Sequence, residues 1–228
     1  MTWKVPDMWK DGECWILGGG PSLLSEFDIP WESSNQVLSR KAEIDLYSPF
    51  LSPIHAKHVI GVNAAFKLGN WIDILFYGDN NFYKANRLQL ANFPNIKITC
   101  NYRTTQVAFQ ENIKYCPYDQ KRPFGISPQA DKVSWNLNSG AAAISIAAHT
   151  GVKRIILVGF DMDLNEKGDQ HWHGLYNKVN PKGVPFKRHL QGFSEIAKDA
   201  KAMGIEIINA SPNSKITEFR KCKVKDLL

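Results

Sequence analysis

The chain has 228 residues, 43% hydrophobic and 22% charged, with a formal net charge of +6. That length suits one generous domain, and the apolar content excludes disorder as the main state. No window approaches the roughly 18 consecutive apolar residues of a membrane span, and residues 1–7 carry charge without an apolar leader segment, so a cytoplasmic protein is expected.

Short apolar runs alternate with helical patterns, which predicts βαβ units and a mostly parallel sheet. Residues 14–17 read as a first strand running into Gly18-Gly19-Gly20-Pro21-Ser22, after which residues 23–27 begin a helix. Residues 30–56, with Pro30, Pro49 and Pro53, read as irregular. Strands are predicted at 58–62, 72–77 and 96–100, with a helix at 81–91 and a short strand at 113–116. Residues 118–131 contain Pro123, Gly125 and Pro128 and read as a long loop. Asn138-Ser139 caps a nearly uncharged, Ala-rich helix over 140–150, with Gly151 as its stop. The continuous apolar run 154–160 suits a central strand covered on both faces. A polar loop follows over 161–184, then an amphipathic helix over 186–203, a strand over 205–209 and a short terminal helix over 214–222. The expected architecture is a single doubly wound α/β domain over 1–228, with six or seven strands and lid segments at 101–135 and 163–186.

The four cysteines, Cys14, Cys100, Cys116 and Cys222, show no metal or redox spacing, and Cys14 and Cys100 read as reduced core residues. Lysine and arginine crowd the last third, either as a solvated surface or as affinity for phosphate-bearing partners.

Candidate chemistry gathers at the strand ends. In the turn at 18–22, Gly18, Gly19 and Gly20 let backbone N–H groups approach a phosphate, and Ser22 can add a hydroxyl. The turn lacks the last glycine of the dinucleotide fingerprint and the Gly-Lys-Ser/Thr of a Walker A loop, and tight packing alone also calls for glycine. Asn63, Asp79, Asn80 and Asp161 end other strands, and Ser139 and Gly140 open the Ala-rich helix. Together they describe a rim suited to a ribose and a base, although Asn and Asp also favour turns on their own account. Asp161 and Asp163 point the same way if their strand continues, and can then share Mg²⁺ or Mn²⁺, although two carboxylates make a thin metal site. His171, His173 and His189 are natural general bases near neutrality. Ser211 and Asn213 lie in a loop after the last strand on the same edge, where a helix cap is the plainer role for Asn213 or Ser214. No Gly-x-Ser-x-Gly elbow, His-Glu-x-x-His or kinase signature is present.

Gly-Gly-Gly-Pro-Ser-Leu at 18–23 resembles the Gly-Asn-Gly-Pro-Ser-Leu opening of the bacterial lipooligosaccharide sialyltransferases. It equally resembles the motility accessory factors and the archaeal-type hydroxymethylpterin pyrophosphokinases. The likeness recurs in order at Asn63 in Val-Asn-Ala-Ala-Phe, Asn80 in Gly-Asp-Asn, Ser139-Gly140, the run 155–161 ending Gly-Phe-Asp, and Ser211-Pro212-Asn213-Ser214. It implies a Rossmann-like fold of the GT-A or sialyltransferase-like variant, holding a cytidine-monophosphate sugar without an essential metal. The glycine loop and Ser22 would hold the phosphate or ribose, and Asn63, Asn80 and Ser139 the donor groups. A histidine would deprotonate the acceptor: His189 in the sialyltransferase pattern, His171 or His173 in the motility-factor pattern. Gly19 stands where that family has asparagine, and Met162-Asp163 where it has tyrosines.

The expected function is a glycosyltransferase moving a sugar from a nucleotide-sugar donor to an acceptor hydroxyl, on a glycan or a modified DNA base. Two alternatives stand beside it. One is a Mg²⁺-dependent pyrophosphokinase acting on a pterin-like molecule through Asp79, Asp161 and Asp163. The other is a non-catalytic nucleotide-binding module. Assembly into a homo-oligomer is left open.

Overall fold

The computed structural model describes residues 2–108, 110–176 and 185–228. Eight strands make one sheet: β1 (Glu13–Leu17), β2 (His58–Val62), β3 (Ile74–Tyr77), β4 (Ile96–Thr99), β5 (Ile113–Tyr115), β6 (Arg154–Val158), β7 (Glu206–Asn209) and β8 (Arg220–Lys221). All pairings are parallel, in the order β5-β4-β3-β2-β1-β6-β7-β8. The chain walks outward from β1 to β5, then returns to the other side of β1 with β6. That reversal between β1 and β6 is the switch point, where open α/β sheets leave a crevice beyond the strands' carboxyl ends. Leu17 registers with Val158, so the two central strands end level with one another.

Both faces of the sheet are covered, and side chains alternate between two cores. Cys14, Ile16, Ile155 and Leu157 enter one core, beneath α5 (Ser139–His149) and α7 (Phe193–Ala202). Trp15, Leu17, Ile156 and Val158 enter the other. That second face is covered by α1 (Ser22–Glu26), α2 (Trp31–Leu38) and α3 (Asn80–Ala91). Helix α5 is buried all round from Gly140 to Ala148, as its lack of charge requires. The two remaining short helices are α4 (Thr105–Ala108) and α6 (Phe186–His189).

The structure departs from expectation in three places. Residues 30–56 are ordered, as α2 followed by a 3-10 segment, Ile44–Ile54. Pro49 and Pro53 deny it α-helical donors, while Ile44, Tyr47, Leu51 and Ile54 still bury one face. The helix expected over 186–203 breaks between α6 and α7, where Gly192 packs so closely on Asn136 that a Cβ would lie 2.5 Å from its Oδ1. The expected terminal helix is absent. Ser214 Oγ donates instead to the Phe160 carbonyl at 2.6 Å, and the Lys215 amide to the Asp161 carbonyl at 2.8 Å, so the chain straps across the β6 exit before pairing as β8. Within the expected lid at 101–135, described residues bond to α7 and to one another. The Asp199 carboxylate accepts the Ile126 amide at 2.7 Å, and Asn136 bonds both the N–H and the C=O of Gly125. Of the other expected lid, 163–186, residues 177–184 lie outside the described residues. Among the described residues no helix is long and apolar enough to cross a membrane.

Candidate functional site

Beyond Leu17 and Val158, the strand exits, the α5 start and the 170–176 loop enclose a cleft of about 300 Å³. Its walls include Gly18, Gly19, Gly20, Asn63, Asp79, Ser139, Gly140, Asp161, Asp163, His171, His173 and His189, twelve residues expected from the sequence. Ser22, Asn80, Ser211 and Asn213 are not in its lining. Asn80 begins α3 behind Asp79, whose carboxylate caps that helix through the Asn81 amide at 2.6 Å.

The glycine turn does not present the row of amides expected of a phosphate cradle. Gly18 N–H donates to the Val158 carbonyl and Gly20 N–H to the Gly159 carbonyl, each at 2.8 Å. Close packing explains these glycines. A Cβ on Gly18 would stand 2.6 Å from the Gly159 oxygen, and one on Gly20 would fall on the Asp161 carboxylate. Gly159 itself takes φ +73°, the left-handed turn that ends the strand.

A partly buried hydrogen-bonded chain ties three loops together beside this turn. Ser211 Oγ accepts the amides of Gly159 (3.1 Å) and Phe160 (3.2 Å) and lies 2.9 Å from Ser22 Oγ. Ser22 Oγ in turn lies 3.0 Å from Asp161 Oδ2. A hydroxyl has one proton, so with Ser22 donating to the carboxylate, Ser211 donates to Ser22. Ser22 and Ser211 therefore shape the cleft floor from beneath, and Asn213 is exposed at the next turn. Burial is the main cause that raises the Asp161 pKa, partly countered by Ser22.

Asp161 and Asp163 do not continue a strand, because β6 ends at Val158 and Met162 turns left-handed at φ +52°. Asp163 pairs with Lys215 at 3.2 Å while Asp161 faces Ser22. No group of three His, Cys, Asp or Glu side chains converges among the described residues. This donor set does not fit a resident divalent cation.

Trp172 is fully buried beneath the turn, its indole N–H on the Gly18 carbonyl at 2.7 Å and its amide on the Gly19 carbonyl at 3.0 Å. It holds the flanking histidines over the cleft. The His171 and His173 rings stack 4.9 Å apart, each edge-on to Tyr176. Burial lowers the pKa of both, and His173 feels His171 as well. His189, on α6, is pushed down to about 4 by burial, then by Arg188 and His171. All three imidazoles are therefore neutral at pH 7, and the Leu175 amide donates to His173 Nδ1 at 3.2 Å.

Several wall residues carried no functional signal in the sequence: Leu137, Gln170, Tyr176 and Arg188, while Asn138 was read only as a helix cap. Asn138 caps α5, taking the Gly140 amide at 2.8 Å and the Ala141 amide at 3.3 Å. Three wall residues other than glycine hold left-handed backbone: Asn63 (φ +52°), Leu137 (φ +55°) and Met162 (φ +52°). Such strain collects at ligand sites. Asn63 Oδ1, Gln170 Oε1 and His171 Nδ1 are buried without a hydrogen-bond partner among the described residues. Buried polar atoms are normally paired, and a ligand's complementary groups or water can complete these three.

No protein-family model matches the sequence, and no curated protein matches it. Among solved structures the chain is similar to the sialyltransferase CstII from Campylobacter jejuni, in complex with the substrate analogue cytidine-5'-monophosphate. The TM-score is 0.50 at 16% identity, covering 92% of this chain and 84% of that one. The CstII complex with CMP-3FNeuAc aligns with a TM-score of 0.48 at 15% identity, covering 92% and 85%. The chain thus has a sialyltransferase-like, Rossmann-like fold.

Proposed function

We propose that the chain is a single-domain transferase that moves a sugar from a nucleotide-sugar donor to an acceptor hydroxyl. The observation that carries this reading is the trio Asn63 Oδ1, Gln170 Oε1 and His171 Nδ1, buried and unpartnered around one cleft at the switch point. Two carboxamide oxygens there ask for donors, which ribose hydroxyls or an exocyclic base amine supply. The fold shared with a protein described in complex with cytidine-5'-monophosphate makes CMP-sugars the first donors to test.

Charge placement suggests how the reaction runs. The departing nucleotide phosphate gathers negative charge, which the Gly19 amide, Ser139 at the α5 start and the Arg188 side chain, all lining the cleft, would receive. The acceptor oxygen bonds to the anomeric carbon as the bond from that carbon to the phosphate oxygen breaks. A neutral histidine takes the acceptor's proton, and His189, half-exposed in the cleft wall beside Arg188, is assigned this role ahead of His171 and the more buried His173.

The test is a calorimetric titration with CMP, UMP and GMP, followed by donor turnover with CMP-, UDP- and GDP-sugars. The expected result is micromolar CMP binding that holds in the presence of EDTA. Turnover should fall at least a hundredfold in His189→Ala, within the span of general-base effects, while CMP affinity stays. Failure of every nucleotide to bind ends the reading. Full turnover in the separate His171→Ala, His173→Ala and His189→Ala variants ends the histidine-base mechanism.

A further inference from the structure

Part of the cleft wall is apolar: Trp135 and Leu137 line it from the segment before α5, and Met162 from the loop after β6. Trp135 is the largest of the three and is half-buried. A Cβ on Gly78, just past β3, would fall on the six-membered edge of this indole, 2.6 Å from Cη2. The glycine thus leaves a notch in which that edge sits. Tyr118 packs against the ring with centroids 5.2 Å apart and a tilt of 46°. The backbone is pinned as well: the Trp135 carbonyl accepts the Asn138 amide at 3.2 Å, and the Asn136 amide donates to the Pro123 carbonyl at 2.9 Å. An aromatic ring held in this way gives up little freedom when a flat ligand covers it.

A second observation, independent of the ring, points to what covers it. Val62 registers with Phe76, so Asn63 leaves β2 beside Tyr77, one residue before the notch at Gly78. Asn63 Oδ1 is buried there without a hydrogen-bond partner among the described residues. A fixed π-face and an unpaired acceptor at adjoining strand exits suit a flat heterocycle with N–H groups on its edge. Charge agrees with this. Asp79 follows the notch directly, its carboxylate on the Asn81 amide at 2.6 Å, and its negative charge disfavours a phosphate at this end. The cationic wall residue, Arg188, comes instead from α6.

We propose that Trp135 is the platform on which the nucleobase of the donor stacks, with Asn63 meeting the edge of that base. The assignment rests on nucleotide binding in this cleft and not on sugar transfer.

Trp135→Phe and Trp135→Leu fill much of the indole's space, the first with a π-face and the second without one. The tightest binder among CMP, UMP and GMP is titrated by NMR into the full chain and each variant, beside ribose 5-phosphate, which lacks the base. In the native chain the ring protons of the bound base are expected to move upfield, as they do over an aromatic face. Trp135→Leu should abolish that shift and weaken the nucleotide about ten- to hundredfold, the worth of one base–aromatic stack. Its affinity for ribose 5-phosphate should stay within about twofold of native. Trp135→Phe should keep the upfield shift and most of the affinity. Base protons that do not move upfield in the native chain, unchanged nucleotide affinity in Trp135→Leu, or an equal loss for ribose 5-phosphate overturns the proposal and leaves the transferase reading standing. Nucleotide affinity that depends on Trp135, without turnover of any nucleotide sugar, overturns the transferase reading and leaves the platform. Failure of all three nucleotides to bind overturns both.

Discussion

Replacing Ser211 with alanine tests whether the chain of hydroxyls beside the glycine turn holds the cleft together. Ser211 is fully buried, and its oxygen accepts the amides of Gly159 and Phe160 at 3.1 and 3.2 Å. Alanine leaves both donors unpaired, at about 1–3 kcal/mol each. It also removes the neighbour that lies 2.9 Å from Ser22. Partial relaxation of the turn offsets some of this, so the expected loss is about 2–4 kcal/mol. At roughly 2–4 °C per kcal/mol for a chain of this size, the melting temperature should fall by about 5–15 °C. Urea unfolding with an unchanged slope is the assay, with CMP titration alongside, because Gly159 and Phe160 line the cleft. A loss below about 0.5 kcal/mol would refute the reasoning, by showing that the two amides find other acceptors.

Asn63→Gly keeps the left-handed backbone at φ +52° and removes the unpartnered Oδ1. Stability should stay within about 1 kcal/mol while CMP affinity drops about tenfold, the worth of one hydrogen bond; a parallel fall in both, by urea unfolding and calorimetry, contradicts this. Acid should destabilise the fold through the histidines. His189 is neutral when folded, with its pKa pushed down to about 4, while the unfolded chain takes up its proton below pH 6.5. Its contribution is therefore lost as pH falls through that window, about 1–2 kcal/mol between pH 7 and pH 5 after allowance for partial exposure. His149, His171 and His173 are lowered in the same direction, mainly by burial, and add to the loss, whereas Asp73 and Asp161 are raised and oppose it near their own range. Urea midpoints that do not move from pH 7 to pH 5 speak against the buried cluster. Bound CMP, an anion beside His189, should raise that histidine's pKa, which ring-proton NMR reads directly.

The sheet was legible because its central strands are buried on both faces and so read as unbroken apolar runs, as at 14–17, 59–62 and 155–158. The 3-10 segment at 44–54 was not, since a three-residue period interrupted by Pro49 and Pro53 matches neither standard template. Strand β8 escaped because two basic residues, Arg220 and Lys221, carry no strand signal, and their pairing depends on Ser214 being held at the β6 exit. At the cleft, the residue types at strand ends were readable, but their tasks were not. The Gly18 and Gly20 amides, readable in sequence as phosphate donors, bond to the Val158 and Gly159 carbonyls, while Gln170, in a stretch without periodicity, and Arg188, in a stretch read as helix, reach the cleft only through tertiary structure.

The two outermost strands bear on how the molecule meets its own copies. At one end β5 offers three residues, with Lys114 at its middle, and at the other β8 offers two, both basic. Such short rims bearing basic side chains give a neighbouring backbone few groups to pair with. Edge-to-edge continuation of the ladder into fibrils or a shared sixteen-strand sheet is thereby disfavoured.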